Sequence, residues 1–376
     1  MQLDTLIEQI HATGLEWDKR AEDADRSGMI SAESASLVRE LNAHRMIQPA
    51  EFGGAQHSIE AHTRAISAIG EYCMATAWCA TVWSAHNWMA SLFPIEAQQE
   101  LWADPTALLS ASIVPKNAFA LDGDDVLVQG RFPFASGCDH ADWFGVGGMV
   151  ELGGPVICLI PADPSLIDAG SWDVVGLSGT GSKDLVIDEP IRVPRHRVLF
   201  SIEAAERRAP GQLHHGSELY LCPFRATAAL VLAGPVIGAA KAAVSRFVER
   251  LDGHVIMARG GSQRSDPAAG ARLAESSAEV NAAELVLLDA AQRLDGLGAD
   301  ADPDPERVGS IFRDTGYSVR MATRAVDRMY EASGGSALRR SEPIQRLWRD
   351  VNAARTHAIM AWDGSAQIYA DAALGN

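Results

Sequence analysis

A chain of 376 residues with 49 acidic against 32 basic side chains carries a formal charge of −17, and 47% of it is hydrophobic. That is the composition of a globular protein long enough for two or three cores, and its acidity excludes nucleic acid or an anionic membrane as the main partner, since either demands a basic face. Five cysteines without CxxC spacing exclude a disulfide framework and a cysteine zinc site, and they point to a reducing cytoplasm.

The chain opens MQLDTLIEQI, with Leu3, Leu6, Ile7 and Ile10 on one helical face and without the basic start and apolar run of a leader peptide. No segment is expected to reach the ~20 apolar residues of a membrane span. From 1 to 105 the spacing predicts helices. In SAESASLVRELNAHRM, Ser31 or Ser34 can cap while Leu37, Val38 and Leu41 recur at helical intervals, and QPAEFGGAQHS supplies breakers. In ATAWCATVWSAHNWMASLFP, His86 stands among Trp83, Trp88, Met89 and Phe93. Such a window is either core or the wall of a cavity for a planar ligand, and a buried imidazole needs a hydrogen-bond partner in both cases.

From 106 to 205 the period shortens to strands: LLSASIV, DDVLVQGRF, WFGVGGMV, PVICLIP and KDLVIDEPIRVP, parted by LDGDD and LSGTGSKD. A small β-barrel or sandwich is predicted. In GRFPFASGCDHADWFGVG the strand breaks at Ser136-Gly137, either an ordinary hairpin corner or a place where backbone N–H groups and a hydroxyl meet a ligand. GLSGTGSKDLVI lacks the Lys-Ser/Thr ending of a phosphate loop and leads into a strand, so it reads as a tight turn packed near a ligand.

From 206 to 376 helices return, through FRATAALVLAGPVIGAAKAAVSRFVERL, the 270–294 segment and ERVGSIFRDTGYSVRMATRAVDRMY. The last carries a stripe of Val308, Ile311, Phe312, Val319, Ala322, Val326 and Met329. In YEASGGSALRRSEPIQRLWRD, Gly334-Gly335 end a helix and Arg339, Arg340, Arg346 and Arg349 crowd the next, a junction able to hold a phosphate or carboxylate. A helix over 343–358 is predicted, with Arg349 and Asp350 fastening its middle and His357 projecting inward about two turns later.

The order of helices, β domain and helical bundle, with FGG, FASGCDHADW, GLSGTGSKD, GGSAL and PIQRLWRD, resembles the acyl-CoA dehydrogenase fold over nearly the whole chain. It most resembles the branch of reduced-flavin-dependent, two-component monooxygenases. The resemblance implies an α+β fold: an N-terminal α-helical domain over 1–105, a middle β-barrel or sandwich over 106–205 and a C-terminal four-helix bundle over 206–376. Dehydrogenases of this fold commonly carry a catalytic glutamate shortly after the RD or early in the first bundle helix. Those places hold Arg355-Thr356-His357-Ala358 and Phe224-Arg225-Ala226-Thr227-Ala228 here, with no carboxylate to accept the substrate proton.

The monooxygenase branch instead implies three catalytic residues: His86 beside the substrate, Ser136 near flavin N5 and His357 close to the flavin. Trp83, Trp88, Ser112 and Arg225 are implied on the substrate side. Ser112, Ala135, Ser136, Gly137, Arg259, Gly334, Gly335 and His357 are implied on the cofactor side, Arg259 reaching a flavin phosphate. Lys116-Asn117 departs from relatives, which often have a glycine-containing turn there. The implied activity takes FMNH2 or FADH2 from a separate NAD(P)H-dependent flavin reductase and O2, and passes through a C4a-hydroperoxyflavin to hydroxylate a small aromatic, phenolic substrate. Oxygenation of a sulfur or nitrogen atom, a dehydrogenase with a displaced base and a flavin-free scaffold are the alternatives. A homotetramer is also implied, for which the helix at Ala233-Gly234-Pro235 and the 306–330 stripe offer apolar faces. No metal is expected.

Overall fold

The computed structural model describes residues 2–151, 153–251, 255–256 and 261–375. Helices come first: α1 Leu3–Ser27, α2 Ala32–Glu40, α3 Ile59–Gly70, α4 Met74–Ala90 and α5 Ile95–Leu101. In α1, Leu6, Ile10, Gly14, Trp17, Ala21 and Ala24 recur at three- and four-residue intervals and are buried, and Gly28 closes the helix in the left-handed region at φ 77°. Of the two candidate caps for α2 the structure uses Ser31, whose hydroxyl accepts from the Ser34 amide at 3.2 Å. Helix α4 differs from its neighbours in being buried almost all round. Apart from the half-buried Ala85 and His86 it is enclosed on every side, so it runs through the centre of the molecule.

Strands come next: β1 Leu109–Asp122, β2 Asp125–Ala135, β3 Trp143–Val150, β4 Gly154–Pro161, β5 Ile167–Asp168, β6 Lys183–Val193 and β7 Val198–Phe200. They form one seven-stranded sheet in the order β5-β6-β2-β1-β3-β4-β7. Alternation gives it two apolar faces. Phe132, Phe144, Val146, Cys158 and Leu185 turn into the β core, whereas Leu109, Ala111, Ile157 and Leu159 turn toward the helices and share a cluster with Trp78, Val82 and Met89 of α4. Gly145 leaves room on that face: a Cβ there would stand 2.8 Å from the Cβ of Ala111 on the paired strand and 3.6 Å from the Met89 Cε of α4.

The sheet is interrupted between β1 and β2. β1 pairs with β2 only at Ala120–Asp122, while its first residues, Leu109–Ser112, pair with β3 alone, and the β1–β3 register then skips Ile113–Lys116. Between the start of β1 and the end of β2 the ladder is open. Two hydroxyls bridge the opening: Ser110 donates to the Ser136 carbonyl at 2.8 Å and Ser112 to the Pro133 carbonyl at 2.5 Å.

The remaining helices are α6 Ser201–Ala205, α7 Pro210–His215, α8 Phe224–Val231, α9 Gly234–Leu251, α10 Pro267–Leu297, α11 Pro305–Ala332, α12 Pro343–Ala354 and α13 Trp362–Leu374, with the two-residue strands β8 Val255–Ile256 and β9 Gly261–Ser262 between α9 and α10. Asp266 and Asp304 cap α10 and α11, each followed by proline at the first helical position. The acidic GADADPDPE segment, residues 298–306, thus supplies the start of α11.

The structure corrects two expectations. By length and composition Phe224–Leu251 is apolar enough to cross a membrane, although none was expected to be; 78% of its most apolar window is buried inside the protein, which accounts for the composition. The apolar faces offered for assembly are also covered within the chain. Ala233, Gly234 and Pro235 are buried, Gly234 against Ile66, and Ile311, Phe312, Val319, Ala322, Val326 and Met329 are buried too.

Candidate active site

On α4, spacings of four, three or four, and three or four place Trp78, Val82, Ala85 or His86, and Met89 along one side of the helix. His86 is fixed by its partner. Its Nδ1 lies 3.1 Å from the Leu109 carbonyl, which can only accept, so Nδ1 carries the proton. Burial lowers the His86 pKa to about 4, against a smaller opposing pull from the Leu109 carbonyl. The ring is neutral at physiological pH and its Nε2 is a bare acceptor with no protein partner among the described residues.

Ser136 sits at the end of β2 on the far side of the open seam. It is buried to 7% exposure and held from several directions. The Trp78 indole N–H donates to its Oγ at 3.2 Å, the Ser182 hydroxyl lies at 2.7 Å, and the next residue's amide, Gly137 N, donates to the Thr180 carbonyl at 2.9 Å. Gly137 must be glycine twice over: its φ is 69°, and a Cβ would stand 2.7 Å from the Trp83 indole nitrogen. Just before it, Phe134 takes φ 65°, a conformation L residues with bulky side chains avoid, and leaves its ring 66% exposed, edge-on to Trp172 at 6.1 Å.

The third histidine approaches from the C-terminal region. The predicted helix over 343–358 ends at Ala354, and His357 lies in the next turn, its carbonyl accepting from the Met360 and Ala361 amides at 2.9 Å each. Its ring meets Trp78 edge-on at 5.9 Å. The residue is exposed in this chain while neighbours crowd the ring enough for desolvation to lower its pKa, the situation of a group in an open crevice. Upstream, Asp350 accepts from the Leu177 amide at 2.6 Å, and Arg349 forms a two-pronged pair with Asp25 at 2.6 and 3.0 Å while donating to the Val175 carbonyl at 2.8 Å. Burial raises the Asp350 pKa to about 6, opposed by the Leu177 amide and Arg349. These contacts tie α12 to the loop before β6, the same loop that supplies Thr180 and Ser182.

One indole thus touches both Ser136 and His357, and the partners of Ser136, His86 and His357 are indole, hydroxyl and carbonyl groups, none a carboxylate. Residues 230–362 match the family model described as acyl-CoA dehydrogenase, C-terminal domain. The chain is 34% identical, over 94% of its own length and 90% of the relative's, to the FADH(2)-dependent resorcinol hydroxylase, oxygenase component, of Rhizobium sp. (strain MTP-10005). It is 32% identical, over 90% of each chain, to the flavin-dependent monooxygenase, oxygenase subunit HsaA, of Rhodococcus jostii (strain RHA1). Its fold matches the crystal structure of 3-HSA hydroxylase from Rhodococcus sp. RHA1 at a TM-score of 0.90, with 29% identity and coverage of 98% of this chain and 96% of that one. The chain belongs to the oxygenase components of flavin-dependent monooxygenases.

In this oxygenase component the other anticipated residues are spread over several places. Ser112, Ala135 and Gly137 border the open seam beside Ser136. Trp88 and Arg225 lie near one another at the opposite flank of α4: the Trp88 indole donates to the Leu219 carbonyl at 2.9 Å and its ring tilts against Phe224, while Arg225 is exposed in the first turn of α8. Trp83, expected to wall a cavity with His86, instead packs fully buried in the core of α1–α4 beneath Gly137. Five positions separate Trp83 from Trp88, which turns them about 140° apart on the helix, so one cavity cannot have both as walls. Gly334 and Gly335 are exposed at a junction beside the Phe247, Met329 and Ile344 cluster and touch none of the three catalytic candidates. Arg259 lies outside the described residues.

Four residues escaped the sequence reading: Trp78, Phe134, Thr180 and Ser182. Trp78 lies in the same aromatic window, eight residues before His86, and Thr180 and Ser182 lie in the GTGS turn that reads as packed near a ligand. Those are the signals that could have found them. The Asn117 departure has a local reason, since its side chain donates to the Arg131 carbonyl at 3.0 Å where β1 resumes pairing.

Proposed function

We propose that the protein is the oxygenase component of a two-component system that uses reduced flavin and O2 to hydroxylate a small phenolic ring. The observation that carries this reading is the fixed tautomer of His86, a neutral imidazole with Nε2 bare beside an apolar wall of Val82 and Met89. Such a group accepts the O–H of a phenol and takes its proton as oxygen transfers, which raises the electron density of the ring. The resorcinol hydroxylase relative supports a phenol as substrate and FADH2 as the flavin.

The residues present fit a reduced isoalloxazine. Phe134 holds an aromatic ring out of the fold at a conformational cost, the Ser136 hydroxyl ends an open strand seam, and the Trp78 ring bonded to Ser136 also meets the His357 ring. Ala135, Ser136 and Gly137 would hold the flavin edge, with Ser112 behind them. When bound, the flavin supplies the two electrons that let one atom of O2 pass to the substrate and the other leave as water. Ser136 holds a hydrogen bond to the flavin edge, and His357 with the buried Trp78 keeps solvent from it. His86 Nε2 receives the phenol proton. Arg225, exposed at the mouth, meets polar substituents on the substrate.

A separate NAD(P)H-dependent flavin reductase supplies the reduced flavin in the cytoplasm, a setting supported by five buried, unpaired cysteines. Assembly as a homotetramer is part of the proposal. With the bundle stripe covered, the support comes from the exposed apolar side chains Leu285 on α10, Val248 on α9 and Val175 in the loop before β6. Light scattering at micromolar concentration tests it, and a monomer contradicts it. The function itself is tested by mixing the protein anaerobically with reduced FAD, admitting isotopically heavy O2 with resorcinol, and weighing the product. Heavy oxygen in a catechol-type or trihydroxy product supports the reading; bleaching of bound oxidised flavin by an acyl thioester overturns it.

A further inference from the structure

The hydrogen-bond directions around Ser136 are fixed from a distance. Thr180 Oγ1 lies 2.7 Å from the Leu177 carbonyl, which cannot donate, so the single Thr180 hydroxyl proton is committed there. The Ser182 hydroxyl, 2.7 Å from Thr180 Oγ1, must then donate to it. With the Ser182 proton spent, the 2.7 Å contact between Ser182 and Ser136 has only one donor left, the Ser136 hydroxyl. Ser136 therefore points its proton inward. One of its lone pairs accepts from the Trp78 indole at 3.2 Å, and the other remains for whatever lies at the strand break. All three hydroxyl residues are buried, so water does not reset the order.

We infer that Thr180 and Ser182 make Ser136 an obligate acceptor and thereby select the reduced over the oxidised flavin. The inference rests on the proposed function, in which flavin N5 lies against Ser136. Reduced flavin carries a proton on N5 and can donate to the waiting lone pair. Oxidised flavin presents a lone pair on N5, which meets another lone pair and gains nothing. An oxygenase fed by a separate reductase must take up reduced flavin in the presence of oxidised flavin, and a polarised hydroxyl chain provides that discrimination without a charged group.

The chain predicts the effect of breaking it. In Thr180→Val the Ser182 proton loses its acceptor and turns to Ser136, which frees the Ser136 proton to face the ligand. In Ser182→Ala the Ser136 proton is freed directly. Both variants should bind oxidised flavin better, and Thr180→Ser should behave as wild type because it keeps the hydroxyl.

The test is anaerobic titration of the 376-residue protein with oxidised and reduced FAD and FMN, giving the ratio of the oxidised to the reduced dissociation constant. The expected result is a ratio roughly tenfold smaller in Thr180→Val and Ser182→Ala, the size of one hydrogen bond. The same change appears as a fall of about 30 mV in the midpoint potential of bound flavin. Circular dichroism establishes that each variant is folded, and the two variants check one another. An unchanged ratio in both overturns the inference. The reading beneath it fails separately: if Ser136→Ala leaves reduced-flavin affinity unchanged, flavin N5 is not at Ser136.

Discussion

His86 shows how a single carbonyl can assign a role. Because Leu109 holds the Nδ1 proton and burial lowers the pKa to about 4, the base form of His86 persists through the neutral and mildly acidic range. Oxygen transfer to a phenol, followed in a single turnover, should therefore lack an acidic limb near 6.5 and decline only as pH falls toward 4. A limb at the ordinary histidine value would contradict the assignment. His86→Ala should lower product formation on the order of a hundredfold while leaving reduced-flavin affinity unaltered. His86 and Ser136 could be singled out in the sequence because a histidine among tryptophans and a hydroxyl at a strand break are locally unusual. Trp78, Thr180 and Ser182 stand in windows that the sequence marks, but their roles come from partners contributed by α4, the end of β2 and the loop before β6.

The helix α12 illustrates what a sequence pattern does and does not determine. Its apolar positions Ile344, Leu347 and Val351 are buried as the spacing requires, but nothing in that spacing marks the stop at Ala354. The stop is local chemistry: the Thr356 hydroxyl donates back to the Ala353 carbonyl at 2.7 Å, and the His357 carbonyl takes up two amides of the following turn. The same helix supplies a pH test. The folded pKa of Asp350 is raised to about 6, above its unfolded value, so its contribution to stability is full at low pH and is lost as pH rises through 6. Asp350→Asn keeps an oxygen for the Leu177 amide and has no charge to bury. Relative to wild type it should gain about 2–3 kcal/mol between pH 4 and 7.5, measured by urea unfolding. A difference that does not vary with pH would mean that Asp350 titrates normally.

Across the whole protein, the succession of helices, strands and helices was readable because the hydrophobic period changes near residue 106 and changes back after the last strand. What composition could not convey is that the three regions share a core, in which Trp78, Met89, Ala111, Leu159, Val236 and Val351 belong to one cluster. The same limit explains the misjudged assembly faces, since an apolar stripe reads alike whether its partner is in the same chain or another. Two further histidines inside this body bear on acid stability. His44 and His62 are fully buried, His62 with neither ring nitrogen hydrogen-bonded, and burial lowers their pKa values to about 4, against an opposing pull from the Val38 backbone, and to about 3. With folded values depressed, their contribution is present above pH 6.5 and is lost as pH falls below it, when the unfolded chain takes up protons that the folded chain refuses. His62→Leu should lose about 3 kcal/mol less than wild type between pH 6.5 and 4, by denaturant unfolding at each pH. Equal losses would show that His62 finds a partner.

The central claim is that Ser136 and His357, joined through Trp78, form the site where oxygen transfer is protected. It is tested most directly by counting hydroxylated product and H2O2 per reduced flavin consumed, with resorcinol as substrate, in wild type, Ser136→Ala and His357→Ala. Wild type should yield mostly hydroxylated product, and each variant should remain folded while diverting most of its reducing equivalents to H2O2. Wild-type yields in both variants would contradict the account, leaving the strand break and the turn at His357 as scaffold alone.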